Sequence, residues 1–348
     1  MQEYLTLLKN LIKAPSPSRN EGEAAEVIRR FLTEQQVGFH AKMNNTWVLN
    51  RHFNPLKPVI LLNSHIDTVK PAAGWESDPF TPVEEGNRIT GLGSNDAGGA
   101  LVALLALFLH LHDRQDLPWN LIWSATAEEE ISGANGIVSI LDDLPPVDLA
   151  VVGEPTGMQL AIAEKGLMVV DCIATGKAGH AAREEGENAI CKAIRDINKI
   201  MEYRFEKVSE LLGPVKVTPT QIEAGTQHNV VPDLCRFVLD VRTNELYGNH
   251  EVLAILAGLT ESTVTARSVR LNSSGIPPGH PFALKAVSLG IRLFGSPTTS
   301  DQAVIPAPSV KIGPGDSARS HTAGEYILSD EITDGINLFI QLFEGLYL

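Results

Sequence analysis

The sequence predicts an α/β protein: a catalytic-type domain built on a mostly parallel central sheet, with a small α+β domain inserted into it. Three observations carry this. Short apolar runs bounded by turn signals alternate with helical patterns over the first 165 residues, the order that buried parallel strands with helical crossovers require. After Lys165-Gly166 the pattern changes to loosely alternating strands and two amphipathic helices. The chain also has 348 residues, beyond the roughly 250–300 at which a single core usually stops growing. The boundaries predicted are 1–167 with 275–348 for the first domain and 168–274 for the insert.

Taken in order, residues 20–35 place Ala24, Val27, Ile28, Phe31 and Leu32 on one helical face after the start signal Ser18-Arg19-Asn20. Residues 59–63, 120–126 and 148–153 read as buried strands. Asp96-Ala97-Gly98-Gly99-Ala100 runs into Leu101–Leu111, a buried helix starting near Asp96; its apolar stretch, Ala100–Leu109, is too short to span a bilayer. In the insert, 167–174, 236–242 and 262–271 read as strands, and 189–207 and 249–259 as helices. Ser273-Ser274-Gly275 is the return linker. The tail, 280–348, carries a helix (281–294), a short strand (309–312) and a last helix (330–346), and as a whole completes the first sheet.

Composition excludes several classes. Apolar residues make up 43% of the chain, which is a globular rather than a disordered composition. Net charge is −14 with no basic stripe, so nucleic acid is not an expected partner. Met1-Gln2-Glu3-Tyr4-Leu5 has no basic segment ahead of an apolar core, so neither a signal peptide nor a membrane association is expected, and the cytoplasm is the expected location. Cys172, Cys191 and Cys235 are odd in number and widely spaced; they read as reduced residues, not as a disulfide framework or a thiolate metal site.

The chemistry-bearing residues fall where strands should end. Ser64-His65-Ile66-Asp67 follows the first apolar run, Thr126-Ala127-Glu128-Glu129-Glu130 the second, and Gly153-Glu154-Pro155 the third. Ligands bind outside the carboxyl ends of parallel strands. Imidazole and carboxylates gathered there suit zinc or a similar divalent ion. Asp67, two residues from His65, can set its carboxylate against the second ring nitrogen. Asp96, in a glycine-rich turn, can bridge two ions, and Glu130 and Glu154 can each bind one. His321 is the remaining histidine in a polar turn. Two ions about 3.5 Å apart activate a shared water and polarise a carbonyl, and Glu129 is the free carboxylate that takes the water's proton and delivers it to a leaving amine. Singly, each residue has a plainer reading: a satisfied core histidine, a turn aspartate, a solvated run of glutamates. Their joint placement at successive strand ends is what points to a metal centre. His110 and His112 read as structural, and His40, His52, His250 and His280 as surface or loop residues.

On these residues the chain resembles the di-zinc deacylase and exopeptidase family of acetylornithine deacetylase, succinyl-diaminopimelate desuccinylase and carboxypeptidase G. The matching segments are Ser64–Pro71 with Trp75 and Asp78-Pro79-Phe80, Gly91–Asp96, Ala125–Glu130, Val152–Thr156, Gly176–Ala182, Asn229–Pro232, Asp240–Arg242 and Ser320–Ala323. The resemblance implies two Zn2+ per chain on a zinc-exopeptidase-like domain, with Co2+ or Mn2+ as substitutes. His65, Asp96 and Glu154 would hold one ion, and Asp96, Glu130 and His321 the other. Glu129 would be the general base and Asp67 the partner of His65. His180 would stabilise the oxyanion in the partner subunit's site, which implies a homodimer through the inserted dimerisation (lid) domain. Asn229 and Arg242 would bind substrate. Two positions depart from the family pattern: Glu128 stands where Asp is usual, and Gly98 where lysine is usual.

The activity expected is hydrolysis of a small-molecule N-acyl amino acid. N-acetyl- or N-succinyl-ornithine or -citrulline, in arginine biosynthesis, is the first expectation. A succinyl-diaminopimelate desuccinylase or a di- or tripeptidase is the alternative, and an inactive binding relic the alternative outside enzymes.

Overall fold

The computed structural model describes residues 1–348. Two compact units result: Met1–Ile162, Gly275–Phe294 and Ser300–Leu348 form the first, Ala163–Ser274 and Gly295–Thr299 the second. The division thus differs from the boundaries read in the sequence by two short segments. Both go with the second unit because they bond each other: the Lys165 N–H donates to the Ser296 carbonyl (3.0 Å) and the Thr299 hydroxyl to the Lys165 carbonyl (2.9 Å).

In the first unit, Asn45–Leu49, Asn120–Thr126, Val59–His65, Leu149–Val152 and Ser309–Lys311 lie side by side in that order. The last four are parallel, and Asn45–Leu49 runs antiparallel to Asn120–Thr126. Every residue of Val59–His65 and Asn120–Thr126 is buried, so these strands show an unbroken apolar run instead of alternation. The register pairs His65 with Thr126 and Asn63 with both Ser124 and Val152. Three carboxyl ends therefore finish at one level, and this is what gathers His65, the Glu128–Glu130 turn and Glu154.

The helix Gly99–Leu111 is apolar on nearly every face and packs inside the core. With the preceding turn it makes a run, Ser94–Leu111, that is long and apolar enough to cross a membrane, contrary to the sequence expectation; 83% of it is buried inside the protein, which makes it a core helix. The regular helix starts later than expected. Ser94–Gly98 forms a wider, π-type turn ahead of it, with Asp96 outside helical geometry. Gly98 has no room for a side chain: a Cβ there would lie 2.4 Å from the Gly93 carbonyl oxygen and 2.7 Å from Leu8 Cδ1. Leu8 belongs to the helix Gln2–Ile12, which the sequence pattern did not reveal.

The second unit has its own antiparallel sheet, Lys216–Ala224, Leu234–Arg242, Met168–Thr175 and Thr263–Ala266 in spatial order. Its core joins Val170, Cys172, Phe237, Leu239 and Val241 to Val252, Leu256 and Ala193 from the helices Asn249–Leu259 and Ala189–Glu202. Asn188 caps the latter through Ile190 N–H (2.9 Å) and Cys191 N–H (3.3 Å).

Some elements end earlier than the sequence suggests. The helix expected to reach residue 207 stops at Glu202, because Tyr203 turns extended and lets Phe205 pack edge-on between Tyr203 and Tyr247. That expected over 281–294 stops at Ser288; Gly290, at φ 78°, reverses the chain into the strand Leu293–Ser296. Only Thr263–Ala266 of 262–271 is strand. Among the cysteines, Cys172 and Cys235 are buried and Cys191 is exposed; all are free thiols.

Candidate metal centre

His65 is the last residue of its strand and almost fully buried. Its Nδ1 lies 2.8 Å from the main-chain carbonyl of Asp67 and 3.5 Å from the Asp67 carboxylate. A carbonyl only accepts, so Nδ1 carries a proton and Nε2 is the atom turned to the site. The backbone of Asp67, rather than its side chain, thus makes the shorter contact to the ring, because the chain turns immediately after the strand.

The Asp67 carboxylate has other work. It accepts the Ser18 hydroxyl (2.7 Å) and the main-chain N–H groups of Glu129 (3.0 Å) and Glu130 (3.2 Å). One strand end is thereby tied to the turn after the next. Glu128 sits just ahead in the left-handed region (φ 55°), which aims its side chain away from Glu129. Its carboxylate accepts Asn135 N–H (3.2 Å) and Nδ2 (2.9 Å). The residue that departs from the family pattern is therefore a buried tie within its own loop.

Asp96 presents one oxygen to each of two histidines: Oδ1 is 3.2 Å from His65 Nε2 and Oδ2 is 3.4 Å from His321 Nε2. Glu130 Oε2 lies 3.0 Å from the same His321 nitrogen. Glu154 follows its strand by two residues. Gly153 before it accepts Ser64 Oγ at its carbonyl (2.9 Å) and donates its N–H to Asn63 (2.7 Å). A Cβ at Gly153 would fall 2.7 Å from Leu104 Cδ1 and 3.1 Å from Ser64 Cβ, so a side chain here would have to push its neighbours aside. Potential donor atoms of His65, Asp96 and Glu130 lie within 4.8 Å of one another, as do those of His65, Glu129 and Glu154.

The electrostatics agree with a site built for cations. Burial, reinforced by Asp96, raises Glu154 to about 8. Burial lifts Glu129 well above the usual carboxylate range, with the charges of Glu154, Asp301 and Glu130 adding to it. Burial disfavours the His65 imidazolium, yet hydrogen bonds to Asp67 and Asp96 outweigh it and raise His65 well above its ordinary value. The hydrogen bond to Glu130 lifts His321 to about 9. Burial alone would raise Asp96, but hydrogen bonding and charge from His65, with Ser320 and His321, hold it low. A cluster that suppresses its own carboxylate charge and draws protons onto both histidines is short of positive charge. Two divalent ions supply it, and an imidazole–carboxylate donor set without thiolate fits Zn2+.

The structure brings together His65, Asp67, Asp96, Glu129, Glu130, Glu154 and His321. His180, Asn229 and Arg242 lie in the second unit. His180 is exposed on the short pair Gly179–His180 with Val230–Val231, and its Nδ1 accepts the Ala182 N–H (3.1 Å). Exposed Asn229 accepts the Ala181 N–H (2.9 Å) at its carbonyl. Arg242 is engaged by Asp240 through Nε (2.8 Å) and Nη2 (3.1 Å), with Nη1 3.4 Å from Thr299 Oγ1.

Two buried acids at the site were not found by sequence reasoning. Glu325 accepts the N–H groups of Asn95 and Asp96; its only signal is its place four residues beyond His321. Asp301 accepts Asn63 Nδ2 (2.7 Å) and the Thr126 hydroxyl (3.2 Å) beneath the strand ends, and burial raises it to about 6. No spacing marks it.

Fold and donor set together define a metallo-amidohydrolase with a dinuclear metal site. Comparison with known proteins agrees: residues 61–345 match the model of peptidase family M20/M25/M40. The chain belongs to that family. It is 28% identical over 362 aligned positions to a putative succinyl-diaminopimelate desuccinylase DapE of Mycobacterium tuberculosis, covering 98% of both chains. It is 27% identical to a putative LysW-lysine/LysW-ornithine hydrolase of Pyrobaculum aerophilum, covering 92% of this chain and 91% of that one. Its fold superimposes on the metallo-carboxypeptidase Sso-CP2 of Sulfolobus solfataricus with a TM-score of 0.77, at 18% identity and 99% coverage of both chains.

Proposed function

We propose that this enzyme hydrolyses the amide bond of an N-acyl amino acid, with N-acetyl- or N-succinyl-ornithine or -citrulline as substrate, a step of arginine biosynthesis in the cytoplasm. The observation that carries the hydrolysis is Glu129: a half-buried carboxylate whose main-chain N–H is fixed by Asp67 and whose side chain lies among the donor atoms of His65 and Glu154.

Zinc, when bound, acidifies water and polarises the scissile carbonyl. His65, Asp96 and Glu154 are assigned to one ion, and Asp96, Glu130 and His321 to the other. Glu129, the carboxylate of the cluster left unassigned to either ion, takes a proton from water and hands it to the leaving amine. Asp67 orients Glu129 and Glu130 through their N–H groups. His180 donates to the developing oxyanion of a partner subunit, with the second unit as dimerisation domain and lid. Arg242, with Asn229, receives the substrate carboxylate; since Asp240 already holds Nε and Nη2, the Nη1 edge beside Thr299 is the one left for it.

A second reading is favoured by the relatives. The Mycobacterium protein is named for succinyl-diaminopimelate, which would place this chain in lysine biosynthesis. The Pyrobaculum protein is named for both lysine and ornithine, so release of a diamino acid is common ground. Amine release from N-acetylornithine, N-acetylcitrulline, N-succinylornithine, N-succinylcitrulline, N-succinyl-diaminopimelate and dipeptides by zinc-loaded protein decides between them. Preference for an acylated ornithine or citrulline is expected. Preference for succinyl-diaminopimelate installs the second reading, and activity on dipeptides alone makes the chain a peptidase.

A further inference from the structure

We propose that Glu325 is a positioning residue that sets Asp96 in its bridging place between the two metal ions. One carboxylate oxygen of Glu325 accepts two successive main-chain N–H groups, Asn95 (2.9 Å) and Asp96 (2.9 Å). The side chain is buried, with 1% of the residue exposed, and the Glu325 carbonyl accepts the Gly91 N–H (3.0 Å). Asp96 sits outside helical geometry, so its N–H has no helical acceptor and Glu325 supplies one.

A second tie lies at the other end of the same two segments. Asn95 Oδ1 accepts the Asp316 N–H (3.0 Å), and Asn95 Nδ2 donates to the Asp316 carbonyl (3.0 Å). His321 lies between Asp316 and Glu325, so the segment that carries this histidine is fastened to the Asp96 turn before and after it. The following strand, Tyr326–Leu328, pairs with Arg88–Thr90. Tyr326 is held between Arg88 (3.8 Å) and Arg319 (4.4 Å), and Arg319 is itself locked by two bonds to Glu331 (2.7 and 3.0 Å). Nothing in this frame touches a reacting atom. Its output is the spacing of Asp96 from His321, the pair that an ion held by both must match.

The proposal rests on Asp96 being the bridging ligand, and its test separates the two ideas. Full-length wild type, Glu325→Gln and Glu325→Asp are stripped of metal and titrated with zinc against a competing chelator, and thermal unfolding of each metal-free protein is recorded. Gln keeps an oxygen that can accept both N–H groups; Asp keeps the charge but is one methylene too short to reach both. Glu325→Asp is expected to weaken zinc binding about 10- to 100-fold, as loss of a group supporting a ligand does, and Glu325→Gln to stay within a few-fold of wild type. A merely structural role would move the unfolding temperature and leave the zinc constants alone. Wild-type constants in Glu325→Asp overturn the proposal, as does a Glu325→Gln protein weakened as much as Glu325→Asp. Wild-type protein that binds fewer than two ions overturns the bridging assignment first, and the proposal with it.

Discussion

The carboxylate of Asp67 accepts the main-chain N–H of Glu129 at 3.0 Å, so the residue two after His65 also holds Glu129, the proposed general base. A second bond to the Glu130 N–H (3.2 Å) fixes the proposed ligand beside it. Replacing Asp67 by Asn keeps the carbonyl that orients His65 but turns one acceptor into a donor facing an N–H. Turnover should fall about 10- to 100-fold, with KM little changed, because the lost interaction aligns the base and not the substrate. Steady-state kinetics on the preferred substrate check this; an unaltered kcat would mean that the Glu129–Ile131 turn holds its shape without Asp67.

Glu129→Gln removes the proton acceptor while keeping the shape of the side chain. Turnover should drop by about 10²–10⁴-fold with zinc content unchanged, measured by elemental analysis on the same preparation. A variant with full activity excludes Glu129 as the base.

Gly98→Lys restores the residue usual in the family and should still be harmful here. The new Cβ would meet the Gly93 carbonyl at 2.4 Å and Leu8 Cδ1 at 2.7 Å. The carbonyl belongs to a turn that Gly93 enters at φ 75°, so it has little freedom to retreat. Overpacking of this kind costs about 1–3 kcal/mol, readable as a lower midpoint in urea with an unchanged slope. Equal stability would show that the helix Gln2–Ile12 can move aside.

Much of this centre could be read in the sequence because its residues sit next to strands that announce themselves. Val59–His65, Asn120–Thr126 and Leu149–Val152 are buried on both faces, so each leaves an uninterrupted apolar run; His65 is found at the end of the first, and Glu129, Glu130 and Glu154 by looking two to four residues beyond the others. Asp301 and Glu325 act through contacts with residues more than two hundred positions away, and a single sequence carries no trace of such a pairing. Lys216–Ala224 escaped because it is an edge strand, mostly exposed, with Pro219 beside an irregular register. Glu128, Glu129 and Glu130 are consecutive and alike in chemistry; the left-handed backbone at Glu128 separates the loop tie from the proposed base and ligand.

The acidity of the cluster predicts how metal-free protein responds to pH. Folding raises Glu154 from 4.5 to about 8, so between those values the folded chain holds a proton that the unfolded chain has lost. Stability changes with pH as protons bound unfolded minus protons bound folded; the difference is negative, and stability falls as pH rises through this window. The histidines act in the same direction. His321 rises from 6.5 to about 9 and His65 rises too; what their pairing contributes is fully present below pH 6.5 and is lost as pH climbs through the folded values. Asp96, held low, contributes the opposite slope only in acid, below its ordinary 3.8. Metal-free protein should therefore lose unfolding temperature steadily from about pH 5 to pH 9. Zinc reverses the trend, because ligands must be deprotonated to bind it and binding to the folded state alone adds stability. Thermal unfolding across this range, with chelator and with excess zinc, should give a falling curve and a flat or rising one. Two parallel falling curves would place the titrating groups somewhere other than the metal ligands.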